Sequence, residues 1–226
     1  MLFRSLLSHE EYNRLEPHLE QVQLEFRQVL SEPGRPIEHV YFPNSGVLSW
    51  LAVLEDGSSV EVATIGNEGM TGIRLLLGAE TAPARVIVQV PGSAMRLSSA
   101  QLKVATFRRD SSLVHILHRY LSAFLTQVTQ SVACNTLHPL VQRLARWLLM
   151  THDRVQADQF PLTHELLAMM LGVRRASVTE VARKLQNAGL IRYVHGKITV
   201  LNRAGLEAAS CECYRAVKKD FDELLG

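Results

Sequence analysis

Between about residues 22 and 97 the apolar positions fall in short runs rich in β-branched and aromatic side chains: HVYF, GVLSWLAVL, SVEVATI, ARVIVQV and SAMRL. EPGRP, PNSG, EDGSS, GNEG and PGS separate them, and the glycines, prolines and small polar residues of those stretches favour turns. Many short strands at such spacing predict a small roll, barrel or sandwich. The preceding SHEEYNRLEPHLEQ reads as a short helix capped by Ser8.

From Ser111 to about Cys134 the period changes to that of a helix. Leu113, Leu117, Leu121, Phe124 and Val128 recur at steps of three and four, one stripe of a helix about six turns long. Such a stripe requires a partner, either the β-layer or the same helix of a second copy. Val114, Ile116, Tyr120 and Leu125 widen the apolar surface enough for both, so the five stripe positions are the expected homodimer seam. His115 and His118 lie on this helix without a third ligand and read as surface or interface residues.

Past His138-Pro139, a further helix carries Leu140, Leu144, Trp147 and Leu148 on one face. Thr163 then caps a short helix with Leu166, Leu167, Met170 and Leu171, and Gly172 ends it. The next helix, about residues 174–187, buries Val178, Val181, Ala182 and Leu185 and shows Arg175, Ala176, Thr179, Glu180 and Arg183 on its other face. Two short strand-like runs around His195-Gly196 follow. Helix, helix, turn, helix, hairpin is the order of a winged helix-turn-helix.

Charge sharpens this picture. The chain's formal net charge is only +2, yet residues 161–206 hold seven Lys or Arg against two Glu, a local excess of five positive charges. Arg174 and Arg175 open the second helix, where the peptide dipoles and free N–H groups already make the end electropositive and a cation is disfavoured. A DNA groove supplies what offsets that cost: phosphates nearby, and guanine O6 and N7 for a bidentate Arg.

The stretch LTHELLAMMLGVRRASVTEVARKLQNAGLIRYVHGKITVLN resembles the DNA-binding end of the Crp/Fnr family of bacterial transcription regulators. Upstream, GVLSWLAVLEDGSSVEVATIGNEGMTG is similar to that family's β-roll, and the helix from Ser111 occupies the place of its dimerisation helix. The resemblance implies an α+β chain of three parts: a cyclic-nucleotide-binding-like β-roll over residues 1–110, a dimerisation helix and hinge over 111–137, and a winged helix-turn-helix over 138–226. It also implies a homodimer on a palindromic double-stranded site, acting on RNA polymerase. Arg175 matches the family's guanine-reading position, Ser177 a phosphate-touching one, and Thr179 and Glu180 join Arg175 as expected base readers. Thr163, Arg174, Arg183 and Lys197 are expected phosphate contacts. Two departures alter the half-site: Ala176 replaces the usual Glu, and Glu180 stands where an Arg is frequent.

The sensory end departs further. The Arg-Ser/Thr pair that holds a cyclic nucleotide's phosphate is replaced by Ala82 and Pro83, so cyclic AMP is not the expected effector. Glu68 and Arg85 are the remaining weak candidates for an unidentified small molecule. Three cysteines give neither a disulfide framework nor four iron–sulfur ligands, and Cys211-x-Cys213 has no second pair near it in sequence, so no metal or cofactor is expected. A single histidine, His39, within the β-region argues against haem and against a cupin-like metalloenzyme; no catalytic constellation appears. The competing class is a ligand-binding or scaffold module without DNA, which would leave the basic helix face unexplained. No run of about 18 uncharged apolar residues occurs and the MLFRSLLSHEE start is too soon acidic for a signal peptide, so a cytoplasmic protein without a membrane span is expected.

Overall fold

The computed structural model describes residues 6–107 and 111–225. The expected boundary at residue 110 and the first five residues of the MLFRSLLSHEE start lie outside them. Two long antiparallel strands, β3 (His39–Val53) and β5 (Arg85–Ser98), form the spine of the amino-terminal half. β1 (Glu20–Leu24) and β2 (Val29–Ser31) pair with β5, and β4 (Ser59–Ile65) pairs with β3. The sequence predicts turns at PNSG and PGS; the structure instead carries both inside the long strands, with register shifts between Pro43 and Leu48. A close crossing is the reason. A Cβ on Gly46 would lie 2.6 Å from the Val90 carbonyl oxygen, and one on Gly92 would lie 2.3 Å from that of Ser45, so only glycine lets the backbones pass.

Helix α1 (His9–Leu15) starts where Ser8 accepts the Glu11 N–H, and α2 (Ser99–Thr106) follows β5. The long helix α3 (Ser112–Leu137) begins at Ser111, whose hydroxyl accepts the Val114 N–H. It lays Leu113, Leu117, Tyr120 and Phe124 into the core of Val40, Phe42, Leu48, Val88 and Leu97. Pro139 then precedes α4 (Leu140–Val155), followed by β6 (Gln159–Pro161), α5 (His164–Leu171), α6 (Arg175–Asn187), β7 (Ile191–Val194) and β8 (Lys197–Val200). Two helices that the periodicity does not reveal complete the chain, α7 (Arg203–Ala209) and α8 (Glu212–Leu225). α8 packs along α3, with Phe221 5.8 Å from the Arg154 guanidinium and Leu225 buried in the β-roll core.

The second core joins Leu144, Trp147 and Leu148 of α4 to Leu166, Leu167, Val178, Val181 and Leu185, and includes Leu51 and Ile87 of the β-strands. The helix-turn-helix is thus seated on the β-roll by an apolar patch. Polar contacts cross the same seam: Trp147 Nε1 donates to Glu61 Oε1 at 2.7 Å, Gln89 Nε2 to Thr151 Oγ1 at 3.2 Å, and Arg154 Nε to Glu68 Oε1 at 2.8 Å.

Glu61 gives this seam a pH dependence. Burial pushes its carboxyl up from 4.5 to about 7, outweighing the hydrogen bonds of Ser49 and Trp147 and the charges of Arg146 and Arg154. Between those two values the folded chain holds a proton that the unfolded chain has released, so stability falls as pH rises through that window. The full difference is about 3 kcal/mol at 1.36 kcal/mol per unit. Denaturant unfolding at a series of pH values should show this decline, and Glu61→Gln should flatten it; an unchanged slope in the variant would remove Glu61 from the account.

Candidate nucleic-acid interface

Thr163 caps α5 as its side chain accepts the Leu166 N–H at 3.1 Å, and Gly172 ends the helix in the left-handed region, φ 62°. Val173 and Arg174 form the turn, and α6 begins at Arg175. Arg174 takes the N-cap position in extended backbone without any side-chain bond to the free N–H groups. The helix therefore starts uncapped and with two cations, the arrangement that the peptide dipoles least favour.

That end of α6 is open. Arg174, Arg175, Ala176, Thr179, Glu180 and Arg183 are exposed, while Val178, Val181, Ala182 and Leu185 face the core. Arg175 lies 3.2 Å from Glu165 across the α5–α6 turn, an exposed pair of the kind that a stronger anion displaces. Lys184 lies 2.8 Å from Glu180 and, with its hydrogen bond and its charge, holds that carboxyl below the usual range, so Glu180 is an ionised acceptor. Ser177 is half-buried, its N–H on the Arg174 carbonyl.

His164 ties this face to the hairpin. Its ring stacks on Tyr193 at 4.2 Å, and its Nδ1 lies 2.9 Å from Thr179 Oγ1, which itself donates to the Arg175 carbonyl at 3.1 Å. One neutral tautomer, with the proton on Nδ1, satisfies both bonds. Burial, and then the Arg175 charge, lowers the pKa of His164, which keeps the ring neutral. Between β7 and β8, His195 (φ 48°) and Gly196 (φ 73°) make a tight turn with two left-handed residues. Exposed Lys197 follows it, and exposed Arg192 stands on β7. Thr163, Arg174, Arg175, Arg183 and Lys197 thus belong to α5, α6 and the hairpin of one winged unit.

The five stripe positions expected at a homodimer seam differ in burial within the chain. Leu113, Leu117 and Phe124 are buried under the chain's own β-roll, and Leu121 and Val128 are half-buried. The wide apolar face is taken first by the strands beside it, because they lie on the same chain. A second stripe stays exposed: His118, Ser122, Leu125, Thr129, Val132 and Thr136, at alternating steps of four and three.

Both weak effector candidates are engaged within the chain. Glu68 accepts the Gly66 N–H at 3.1 Å as well as the Arg154 guanidinium, and Arg85 Nε donates to both carboxylate oxygens of Glu32 at 3.0 and 2.9 Å. Ala82 is buried, its N–H bonded to the Arg35 carbonyl. Between α3 and the roll, Trp50 meets Phe124 edge-on at 5.1 Å, and Tyr120 donates to the Met70 carbonyl while its ring lies where a side chain on Gly69 would stand. One grouping is absent from the sequence reading altogether: Cys211 and Cys213, which lack a second pair nearby in sequence, have Cys134 and His138 beside them in space.

Comparison with known proteins finds two domain matches, a Crp-like helix-turn-helix domain over residues 142–209 and a cyclic nucleotide-binding domain over residues 21–108. The chain is 26% identical to the transcriptional regulator SdrP of Thermus thermophilus over 196 residues, 83% of this chain and 93% of that one. It is 24% identical to a global nitrogen regulator of Synechocystis sp. over 184 residues, 77% and 81% of the two. A solved transcriptional regulator of the CRP/FNR family from Thermus thermophilus superposes with TM-score 0.69 at 25% identity, covering 84% of this chain and 98% of that one.

Proposed function

The chain belongs to the Crp/Fnr family of transcription regulators, with that family's helix-turn-helix, and on that footing we propose that it works as a homodimer on a palindromic duplex, with α6 in the major groove. The observation that carries this reading is the open, uncapped mouth of α6 with Arg174 and Arg175 exposed in it. Arg175 reads a guanine once Glu165 is displaced by the base edge. Glu180 accepts from a cytosine N4, and Thr179, its hydroxyl used within the unit, offers its methyl to a thymine. Arg174, Ser177, Arg183, Lys197 and Thr163 hold phosphates.

The exposed stripe on α3, with Leu125 and Val132 at its centre and Leu121 and Val128 at its edge, is the proposed dimer seam, and it sets the two α6 helices about one turn of duplex apart. The parts of the chain then act as an effector-side roll over residues 1–110, a seam and hinge over 111–137, and a DNA-binding unit over 138–226. Contact with RNA polymerase and a cytoplasmic location follow from the family's work, and the reading assigns no reaction to the chain; among the described residues no helix is long and apolar enough to cross a membrane. The effector, where there is one, is a small molecule other than cyclic AMP, a reading supported by Ala82 and Pro83 and by the side chains packed between α3 and the roll.

Selection of binding sites from a random duplex pool tests this reading. The expected product is an inverted repeat bound by two chains, with an affinity that falls about 10³–10⁵-fold between 50 and 200 mM salt. Recovery of no enriched sequence, or binding by single chains, would contradict it.

A further inference from the structure

Four side chains from two distant parts of the sequence meet where the two halves of the chain join. Cys134 lies in the last turn of α3, and His138 is the residue that follows that helix, one turn further on and on the same face. Cys211 and Cys213 flank Glu212 at the start of α8. The three sulfurs are buried and make a small cluster apart from both hydrophobic cores, with no disulfide among them. Cys134 Sγ lies 3.5 Å from Cys211 Sγ, and Cys213 Sγ lies 3.6 Å from His138 Nδ1. All four ligand atoms lie within 4.8 Å of one another.

We infer that Cys134, His138, Cys211 and Cys213 form a closed, four-coordinate site for a zinc ion. With Zn–S near 2.3 Å and Zn–N near 2.0 Å, the edges of a tetrahedron measure about 3.5–3.8 Å, and these two separations match that figure. Three sulfurs and an imidazole are a known structural zinc set, with no position left for water. A two-iron cluster would split the same ligands into two pairs, one on each iron, and so spread them further than this cluster allows.

The surroundings fit. His138 turns Nδ1 toward the sulfurs and Nε2 toward Glu212, whose Oε1 lies 3.3 Å away, so a carboxylate would orient the metal-binding ring from behind. Arg146 is buried, its Nη2 donating to Ser131 Oγ at 3.1 Å, one turn before Cys134 on α3. Binding converts three thiols to thiolates and releases their protons to solvent, with no oxidant or reductant involved. The ion would fasten the end of α3, the Pro139 hinge and the start of α8 at one point, and so fix where the winged unit sits on the roll.

Full-length protein purified under reducing conditions should carry about one zinc per chain by elemental analysis, and the metal-stripped chain titrated with cobalt(II) should develop the visible bands of a tetrahedral site together with a thiolate charge-transfer band. Cys213→Ser should abolish the stoichiometric ion. Glu212→Ala, which removes only the carboxylate behind the ring, should weaken binding about 10–100-fold while leaving the fold intact. A wild-type chain that gives no tetrahedral cobalt spectrum overturns the proposal. So does one that holds iron with inorganic sulfide, or one whose Cys134 and Cys211 form a disulfide in place of a metal.

Discussion

Replacing Arg154 by methionine is expected to destabilise the folded chain by about 3–5 kcal/mol, the cost typical of leaving a buried charge without its partner. The guanidinium binds Glu68 through Nε at 2.8 Å and Nη2 at 2.7 Å, and Nη1 donates to the Met150 carbonyl. The paired side chains are only 8% and 16% exposed, which separates this pair from the surface ion pairs elsewhere in the chain. Methionine keeps an aliphatic stem where the Arg154 Cγ and Cδ lie beside Gly66 and removes the charge. The double variant Arg154→Met/Glu68→Gln removes both charges and should recover most of the loss. Thermal or denaturant unfolding reads both; a single-variant cost under about 1 kcal/mol would mean that the pair is screened like a surface one.

Much of this architecture is visible in the sequence because local signals and tertiary packing agree. Ser8 and Thr163 cap the helices they precede, and the apolar spacing of α6 places Val178, Val181, Ala182 and Leu185 in the core. Where one face has two claimants, sequence does not choose. The stripe from Leu113 to Val128 fits a β-roll or a second helix equally well, and its buried members go to the roll. Bulges are hidden for a similar reason: PNSG and PGS carry turn residues whether the chain reverses or two strands cross closely. α7 and α8 escape because α8 divides its apolar side chains between two cores, Tyr214 and Val217 in one and Leu225 in the other.

The cysteine cluster shows the limit most sharply. A metal set is usually recognised as two close pairs of ligands. Here one pair is Cys-x-Cys, and the other is Cys134 and His138, a spacing that only a helix brings together and that lies more than seventy residues upstream. The apolar pattern carries the helix only to about Cys134; in the structure it continues to Leu137, which brings His138 one turn beyond Cys134.

Arg175 carries the second large expectation. Arg175→Ala should cost about 1–3 kcal/mol, about fivefold to more than a hundredfold in affinity, at one base position in each half-site. Arg183→Ala and Lys197→Ala, which touch only phosphate in this account, should weaken all duplexes alike and each reduce the salt slope by about one per chain, so about two per bound dimer. The difference arises because guanine offers two acceptors in a fixed geometry, whereas a phosphate offers charge without sequence. Glu165, the present partner of Arg175, is exposed and gives way at little cost.

The most direct measurement is a profile of affinity against every single-base change in the selected site, made for the natural chain and for Arg175→Ala side by side. The account predicts that the variant loses discrimination at one symmetry-related pair of positions and keeps it at the rest. An equal loss on every site, matched by the same loss on random duplex, would place the mouth of α6 outside the groove.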